Sequence, residues 1–301
     1  MMTGLLKDMR FVGIACAVAA VGSGIAYMMA AGAPGRYPFV NGAALLIGLL
    51  LFAAVDQLPA RLRNAPVALA IGLALVATAL FGVSGEGATR WAKLGPILIQ
   101  PSLILLPMLV VLLARTREPL AMAGALLAAV ALAIQPDRAM AGALAASLAA
   151  LALWRRDLWS LAGLIGATAC FAVTLLRADA LPAMPYVDGI LYSAFDVHPL
   201  AGIAVVGGAA LLLVPAISGW GQGHRHASVL FGTIWFAIIA AAALGNYPTP
   251  LVGYGGSAVI GYLLSLSVLP KASRSERKSS GWERNKSLEE GDGQSLAVSL
   301  G

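Results

Sequence analysis

Ten apolar segments, separated by short polar junctions, fill this sequence as far as residue 269. A helix needs roughly 20 apolar residues to cross the hydrocarbon core of a bilayer, with about 17–25 tolerated. The ten segments have about this length. The sequence therefore predicts an all-α, polytopic integral membrane protein with about ten transmembrane helices, at residues 11–32, 38–56, 65–83, 98–114, 119–135, 139–154, 158–176, 190–218, 227–245 and 251–269.

The composition supports a membrane protein and argues against other classes. Hydrophobic residues make up 59% of the 301 residues and charged residues 11%, with a mean hydropathy of +0.84. An ordinary soluble domain is about 45–50% apolar and about 25% charged. In a membrane protein, basic residues mark cytoplasmic loops, so the net charge of +6 predicts no nucleic-acid partner. Cys16 and Cys170 both lie inside apolar segments, which predicts neither a disulfide nor a metal site.

The distribution of Lys and Arg predicts the orientation of the chain. With the N-terminus placed inside, 15 of the 20 basic residues fall on the cytoplasmic side and 5 on the opposite side, as the positive-inside rule requires. An even number of spans then places both termini in the cytoplasm. Residues 271–301 are polar and charged, so we expect a ten-helix domain at 1–270 followed by a disordered basic cytoplasmic tail at 271–301.

Four segments on the non-cytoplasmic side carry more polar residues than plain connectors need. Irregular backbone at membrane depth is tolerated only where protein or a wet cavity satisfies its polar groups, and ionisable residues there usually serve a site. Taken singly, each segment is equally well explained by loop chemistry or a structural ion pair. Together they predict one polar cavity that opens outward. The segments are GEGATRWAKLGPILIQPS, QPDR, RADALPAMPYVDGILYSAFDVHP and PTPLVGYGGSAVIGYLL.

The last of these segments combines two prolines with four glycines beside Tyr254 and Ser257. Pro248 and Pro250 end the preceding helix, and glycine takes positive φ at little cost. Backbone N–H groups freed in such a turn, together with the start of the last helix, predict a site for an anionic group. Close helix packing by small residues is the alternative.

Three stretches, GATRWAKLGPILIQPS, LAIQPD and PTPLVGYGGS, resemble the landmark motifs of the SEDS family (shape, elongation, division and sporulation), the family of RodA, FtsW and SpoVE. Family members carry G-A-x-R-W-x-x-L-G leading to Q-P-S-E, then Q-P-D followed by G-T, and near the end P-L-P-F-x-S-Y-G-G-S. The three stretches occur here in the family order. The resemblance covers about residues 11–269, and the family also has ten spans.

The resemblance implies a peptidoglycan glycosyltransferase that polymerises lipid II at the outer face of the bacterial cytoplasmic membrane, in cell division or cell-shape maintenance. The family's critical acid lies between the seventh and eighth spans. There the stretch LPAMPYVDGILYSA makes Asp188 the catalytic candidate, with Asp196 as second choice. The matched motifs supply the expected substrate-binding residues, Arg90, Trp91, Lys93, Gln100, Ser102, Gln135, Asp137, Arg138, Tyr254, Gly255, Gly256 and Ser257.

The implied chemistry sets requirements for partners and cofactors. A carboxylate can act as general base on the acceptor hydroxyl. The leaving lipid pyrophosphate needs cations, which are either Arg and Lys side chains or a divalent ion such as Mg²⁺ or Mn²⁺. The implied partners are lipid II or another undecaprenyl-linked substrate, a penicillin-binding transpeptidase, and other cell-wall or division membrane proteins.

Several departures from the family pattern favour alternative functions. Leu103 replaces the acid of Q-P-S-E, Ala139 and Met140 replace the G-T after Q-P-D, and the loop before Asp188 is much shorter than the Gly-rich region of the family. A non-catalytic scaffold of the cell-wall or division machinery is therefore one alternative. A polar cavity among ten helices also suits a transporter or flippase of lipid-linked substrates.

Overall fold

Capping residues and prolines set the starts of many helices. Asp8, Asp137 and Asp157 precede helices, and their carboxylates accept hydrogen bonds from backbone N–H groups of the first turn. Proline opens three other helices, at a position where a missing N–H leaves no helical hydrogen bond unmade. The computed structural model describes residues 8–58, 65–85, 88–95, 97–177, 182–220 and 225–271.

Within these ranges the chain forms twelve helices and three short strands. In chain order they are α1 (Met9–Ala30), α2 (Arg36–Gln57), α3 (Ala65–Phe81), β1 (Val83–Gly85), β2 (Ala88–Leu94), β3 (Ile97–Ile99), α4 (Pro101–Arg115), α5 (Pro119–Ile134), α6 (Arg138–Arg155), α7 (Leu158–Leu175), α8 (Ile190–Val197), α9 (Pro199–Leu211), α10 (Val214–Trp220), α11 (Arg225–Leu244) and α12 (Gly256–Ser267).

Each of the ten predicted apolar segments corresponds to a helix or to a run of helices, so the polytopic all-α fold class is confirmed. By length and composition, α1, α2, α7, the unit of α9 and α10, and α11 are able to cross a membrane. Helices α3, α4, α5 and α12 are apolar but shorter. The eighth segment is divided at His198, where α8 ends and α9 begins with proline. The predicted tail at 271–301 lies, except for Lys271, outside the described residues.

A three-stranded antiparallel sheet, which the hydropathy pattern did not predict, joins α3 to α4. Strand β2 pairs with β1, where Trp91 is opposite Val83, and with β3, where Lys93 is opposite Leu98. Gly95 follows β2 with φ of 58°, a left-handed conformation that glycine adopts without strain. The fourth apolar helix therefore starts at Pro101 and not at 98, because residues 97–99 form a strand.

Helices α4 and α12 form the centre of the bundle. Leu109, Leu112, Tyr262 and Leu263 on these helices have no exposed surface. A Cβ atom at Gly261 of α12 would lie 2.0 Å from a backbone oxygen of α4. The two helices approach this closely because glycine has no side chain, as is common in membrane helix packing.

Charged residues of α1, α2 and the segment after α12 meet at one end of the bundle. Asp56 Oδ1 lies 2.8 Å from Arg10 Nη2 and 2.8 Å from Lys271 Nζ. Asp137 and Tyr254 precede α6 and α12, at the opposite end. This division matches the predicted grouping of the loops on two sides of a membrane.

Candidate functional site

The starts of α4, α6 and α12 meet at the carboxylate of Asp137. Its Oδ2 accepts hydrogen bonds from Gln100 Nε2 (3.1 Å) and Ser102 Oγ (2.9 Å), and its Oδ1 accepts one from the Met140 N–H (3.4 Å). The Gln100 N–H donates to Ser257 Oγ (3.0 Å), which links the start of α12 to the same group of residues. Asp137 is 1% exposed, and a carboxylate so deeply buried requires such donors. We call Gln100, Ser102, Asp137 and Ser257 the Asp137 cluster.

Arg90 extends from β2 to the end of α5. Its guanidinium donates to the carbonyl oxygens of Gln135 (3.4 Å) and Pro136, and the residue is 4% exposed. Unpaired carbonyls at a helix C-terminus attract a cation. The Gln135 side chain in turn donates from Nε2 to the Leu75 carbonyl oxygen of α3 (3.1 Å). Arg90 and Gln135 thus connect the sheet, α3 and α5.

Asn41 of α2, which the sequence analysis missed, holds the glycine-rich turn before α12. It has no exposed surface; its Nδ2 donates to the Gly253 carbonyl oxygen (2.8 Å) and its Oδ1 accepts from the Gly255 N–H (3.1 Å). The Tyr254 N–H donates to the Tyr186 carbonyl oxygen (2.7 Å). The N–H groups of Tyr254 and Gly255, which were expected to help bind an anion, therefore already donate to protein oxygens. The available signal was a single amide inside an apolar helix, since such a group is costly unless it is hydrogen-bonded.

Three tyrosines surround the same turn. The ring of Tyr254 stacks on Tyr37 with centroids 3.8 Å apart, and Tyr37 meets Tyr186 edge-on at 6.0 Å. Tyr186 Oη donates to the Ala31 carbonyl oxygen (3.2 Å). Tyr186 has φ of 65°, which is uncommon for a residue other than glycine. This aromatic cluster joins the start of α2 to the loop before α8 and the turn before α12.

Asp188 lies near the end of that loop, two residues before the start of α8. Its backbone pairs with Pro248 in an antiparallel bridge, and the Thr249 N–H donates to the Val187 carbonyl oxygen (2.9 Å). Its Oδ2 accepts a hydrogen bond from the Met184 N–H (2.8 Å). Burial raises the pKa of the Asp188 carboxyl above its ordinary value, and the Met184 hydrogen bond opposes this rise. A half-buried carboxyl with a raised pKa is typical of catalytic acids and bases.

A cavity of about 540 Å³ lies between α6, α7 and α11. This volume is typical of a small-ligand site. Most of its lining is apolar, and Arg138, Asn246 and Tyr247 lie together at one end of it. Tyr247 immediately precedes Pro248, whose backbone pairs with Asp188. Tyr247 in the cavity lining is therefore one residue from the backbone that pairs with Asp188.

The cavity between α6, α7 and α11 brings together only part of the predicted site. Among the predicted site residues that the structure describes, Arg138 lines the cavity, whereas Asp188 and Arg90 do not. Lys93 is exposed on β2, and Trp91 is partly buried. Protein groups take up the polar atoms of the Asp137 cluster and the Arg90 guanidinium, so these groups connect helices instead of lining a shared space.

The arrangement does not fit a divalent metal ion. In the ranges that the structure describes, no group of three or more His, Cys, Asp or Glu side chains is placed to hold one. The carboxylates of Asp137 and Asp188 accept hydrogen bonds from neighbouring protein groups and lie in different surroundings. We therefore assign no step to Mg²⁺ or Mn²⁺.

This fold and the polar groups at one end of its bundle define a polytopic membrane protein with a candidate site beside its loops. Within that class, the fold is that of RodA, as the SEDS motifs predicted. The rod shape determining protein RodA of Thermus thermophilus matches with a TM-score of 0.57 at 22% identity, covering 85% of this chain and 94% of RodA. An Asp→Ala mutant of that protein gives a TM-score of 0.56 at 23% identity, over 85% and 95%.

A further structural neighbour comes from a peptidoglycan synthase complex described as coordinating polymerization and crosslinking. It has a TM-score of 0.58 at 22% identity and covers 85% of this chain and 95% of its own. No protein-family model and no curated protein matches the sequence. The structural likeness therefore confirms the SEDS-like fold.

Proposed function

We propose that this protein is a divergent SEDS-type peptidoglycan glycosyltransferase that polymerises lipid II at the outer face of the cytoplasmic membrane, in cell division or cell-shape maintenance. The RodA-like fold supports the family. The observation that supports the activity is the placement of Asp188, a half-buried carboxyl with a raised pKa. Its backbone pairs with Pro248, the residue after Tyr247 in the lining of a ligand-sized cavity.

Asp188 acts as the general base in this proposal. Its carboxylate takes the proton of the acceptor hydroxyl while that oxygen forms a bond to the anomeric carbon of the donor sugar. The bond from the anomeric carbon to the pyrophosphate oxygen breaks, and the lipid pyrophosphate leaves with the bonding electrons. Because burial raises the pKa of the carboxyl, its ionised form is a stronger proton acceptor than an exposed aspartate.

Arg138 supplies positive charge for the leaving group. Its side chain lines the polar end of the cavity, and a guanidinium matches the geometry of phosphate oxygens. The Asp137 cluster and the aromatic cluster have positioning roles, since they fix the helix starts and the loop that carry Arg138 and Asp188.

The proposed orientation places the Arg10–Asp56–Lys271 end of the bundle in the cytoplasm, with both termini, in line with the positive-inside rule. The proposed partner is a penicillin-binding transpeptidase, because glycan strands must be crosslinked after polymerisation. The structural neighbour from a peptidoglycan synthase complex supports this proposal.

A non-catalytic scaffold is the second candidate. The guanidinium of Arg90 is bonded to the end of α5, and the carboxylate of Asp188 accepts a hydrogen bond within its own loop. Charges engaged in this way hold a fold together without requiring a substrate.

Fluorescent lipid II given to the purified protein separates the candidates. The enzyme forms glycan polymer that muramidase digests, without any transpeptidase present. A scaffold forms none under conditions in which an active SEDS protein does. A flippase moves the labelled lipid across vesicle bilayers and also forms no polymer, so either of these results would overturn the proposal.

A further inference from the structure

The hairpin formed by β2 and β3 ends in exposed apolar side chains. Leu94 pairs with Ile97 next to the turn, and Leu98 pairs with Lys93. The exposed fractions are 61% for Leu94, 59% for Ile97 and 57% for Leu98. Grouped apolar side chains of this size are unfavourable in water and mark a contact surface. We call Leu94, Ile97 and Leu98 the hairpin tip.

The hairpin tip is apolar on both faces of the sheet. Side chains alternate between the two faces along a strand, and directly paired residues share a face. Leu94 and Ile97 therefore lie on one face, and Leu98 lies on the other with Lys93. A partner protein would cover one face of so small a sheet, whereas lipid surrounds both. The exposure of both faces therefore favours hydrocarbon as the contact.

The hairpin tip lies close to the ends of two apolar helices. A Cβ at Gly82, the residue after α3, would lie 2.8 Å from the Trp91 carbonyl oxygen of β2, and α4 begins at Pro101, two residues after β3. From Trp91 to Leu94 is about 10 Å at 3.4 Å per residue. The polar layer on one side of a bilayer is about 5–8 Å thick. The tip is therefore within reach of the edge of the hydrocarbon core.

An exposed apolar surface leads from α3 onto the sheet. Leu80 and Phe81 in the last turn of α3 are exposed, and so is Val83 at the start of β1. Val83 pairs with Trp91, three residues before the tip. Exposed side chains of an apolar membrane helix face lipid, since lipid tails are as apolar as leucine. The hairpin tip thus continues a surface that already faces lipid.

Lys93 adds a cation beside the tip. It is exposed and shares a face with Leu98. A lysine stem packs along apolar surface while its ammonium group stays in the polar layer, where lipid headgroups carry negative charge. Trp91 lies on the same face, two residues earlier, and aromatic rings are common at this depth. The order of side chains along β2 therefore matches the order of layers in a bilayer.

We propose that the hairpin tip inserts into the bilayer leaflet next to the sheet, which is the outer leaflet in the proposed orientation. Leu94, Ile97 and Leu98 contact acyl chains, and Lys93 lies among the headgroups, where position 93 remains reachable from water. Interfacial elements bury their apolar side chains about 5–10 Å deep. This inference does not depend on glycosyltransferase activity. Because Arg90 of β2 is bonded to the end of α5, insertion ties that helix end to the bilayer surface.

Spin labels measure whether the tip lies in lipid. A nitroxide is attached to Leu94→Cys or Leu98→Cys in the full-length protein without Cys16 and Cys170, and the purified protein is placed in nanodiscs of phosphatidylethanolamine and phosphatidylglycerol. Oxygen concentrates in hydrocarbon, whereas a nickel chelate stays in water. The ratio of oxygen to nickel collisions should be at least about tenfold higher at both positions than at a control in water, because polar complexes partition poorly into hydrocarbon.

Ser84→Cys is the matched control. Ser84 is exposed on β1 of the same sheet, where its Oγ lies 3.0 Å from Thr89 Oγ1. The labelled positions are all exposed, so the labels do not crowd the core. If the labelled Leu94→Cys protein does not fold, Ile97→Cys on the same face replaces it with the same outcomes.

The two tip positions report on opposite faces of the hairpin. High oxygen-to-nickel ratios at both would support insertion. A ratio equal to that of Ser84→Cys at both positions would place the tip in water, free to bind a protein partner. Such a ratio at only one position would show that the hairpin lies flat with one face in water. Either of these results would overturn the proposal.

Discussion

Asn41 connects two elements that are 212 residues apart in the chain. Its amide satisfies one carbonyl and one N–H of the turn before α12; Asn41 and Gly253 are buried, and Gly255 is partly buried. We expect Asn41→Ala to lower the free energy of unfolding by about 1–3 kcal/mol, because it leaves buried polar groups without partners. Thermal unfolding in detergent measures the change.

An exposed hydrogen bond provides the control for Asn41. Ser84 Oγ and Thr89 Oγ1 are 3.0 Å apart at the surface of the sheet. Ser84→Ala should change the free energy of unfolding by less than about 0.5 kcal/mol, because water replaces the lost partner. Equal effects of the Asn41 and Ser84 substitutions would contradict the structural role of Asn41.

The raised pKa of Asp188 predicts the pH dependence of activity and stability. A general base works only when ionised, so the acid limb of the polymerisation rate should lie above pH 3.9, about the ordinary pKa of aspartate. The pKa of Asp188 is higher in the folded protein than in the unfolded chain, so the protonated carboxyl stabilises the fold. This contribution to the free energy of unfolding is present below the ordinary pKa and is lost as pH rises through the raised pKa.

The Asp188→Asn variant isolates this titration. Its stability should gain on that of the wild type as pH rises through the folded pKa of Asp188, because the variant has no carboxyl to ionise in a half-buried position. Unfolding temperatures measured for both proteins across pH 4 to 8 give the difference. A difference in unfolding temperature that does not vary with pH would mean that burial does not raise the pKa of the Asp188 carboxyl.

At the scale of elements, α3 and α5 pack backbone to backbone through glycine. A Cβ at Gly124 would lie 2.3 Å from the Ala68 carbonyl oxygen, and one at Gly72 would lie 2.3 Å from the Gly124 carbonyl oxygen. Gly124→Ala should therefore force the helices apart and destabilise the fold by about 1–3 kcal/mol. Heat-induced unfolding of the purified variant reports the change.

Gly207 is the matched control for this helix pair. It lies on α9, and a Cβ there would meet nothing within 4 Å. Gly207→Ala should leave the protein as stable as the wild type or slightly more stable, because alanine favours the helix. Loss of stability in Gly207→Ala equal to that in Gly124→Ala would show that helix packing is not the cause.

The sequence predicted the elements that depend on apolar length and missed those that depend on contacts between distant residues. All ten apolar segments correspond to helices, because segments of that length must be helical in a bilayer. The sheet was missed because β1 and β3 have only three residues each. Residues 98 and 99 were assigned to a helix because their hydropathy does not distinguish a strand from a span.

For the candidate site, the sequence likewise predicted the residues but not the contacts between them. The motifs indicated Gln100, Ser102, Asp137 and Ser257, and the structure brings these four together. Their spacing along the chain did not reveal that they bond to one another. Arg90 illustrates the same limit, since its contact with the end of α5 depends on the unpredicted sheet.

At the scale of the whole molecule, the orientation in the membrane is testable by labelling. Lys93 and Arg156 are exposed and belong to loops that the positive-inside rule places on opposite sides. In a variant without Cys16 and Cys170, an impermeant maleimide added to intact cells should label Lys93→Cys. Arg156→Cys should react only after the membrane is permeabilised. Labelling of both from outside would contradict the ten-span topology.

The most direct test of Asp188 as the catalytic carboxylate compares the initial rates of lipid II polymerisation of Asp188→Asn and Asp196→Asn with that of the wild type. Asp196 is an exposed aspartate of α8, eight residues further along the chain, and it controls for loss of charge in this region. We expect Asp188→Asn to slow polymerisation at least about 100-fold, the lower range for loss of a general base, while Asp196→Asn stays within about twofold of the wild type. Equal rates for the two variants in well-folded protein would contradict the assignment of Asp188 as the catalytic carboxylate.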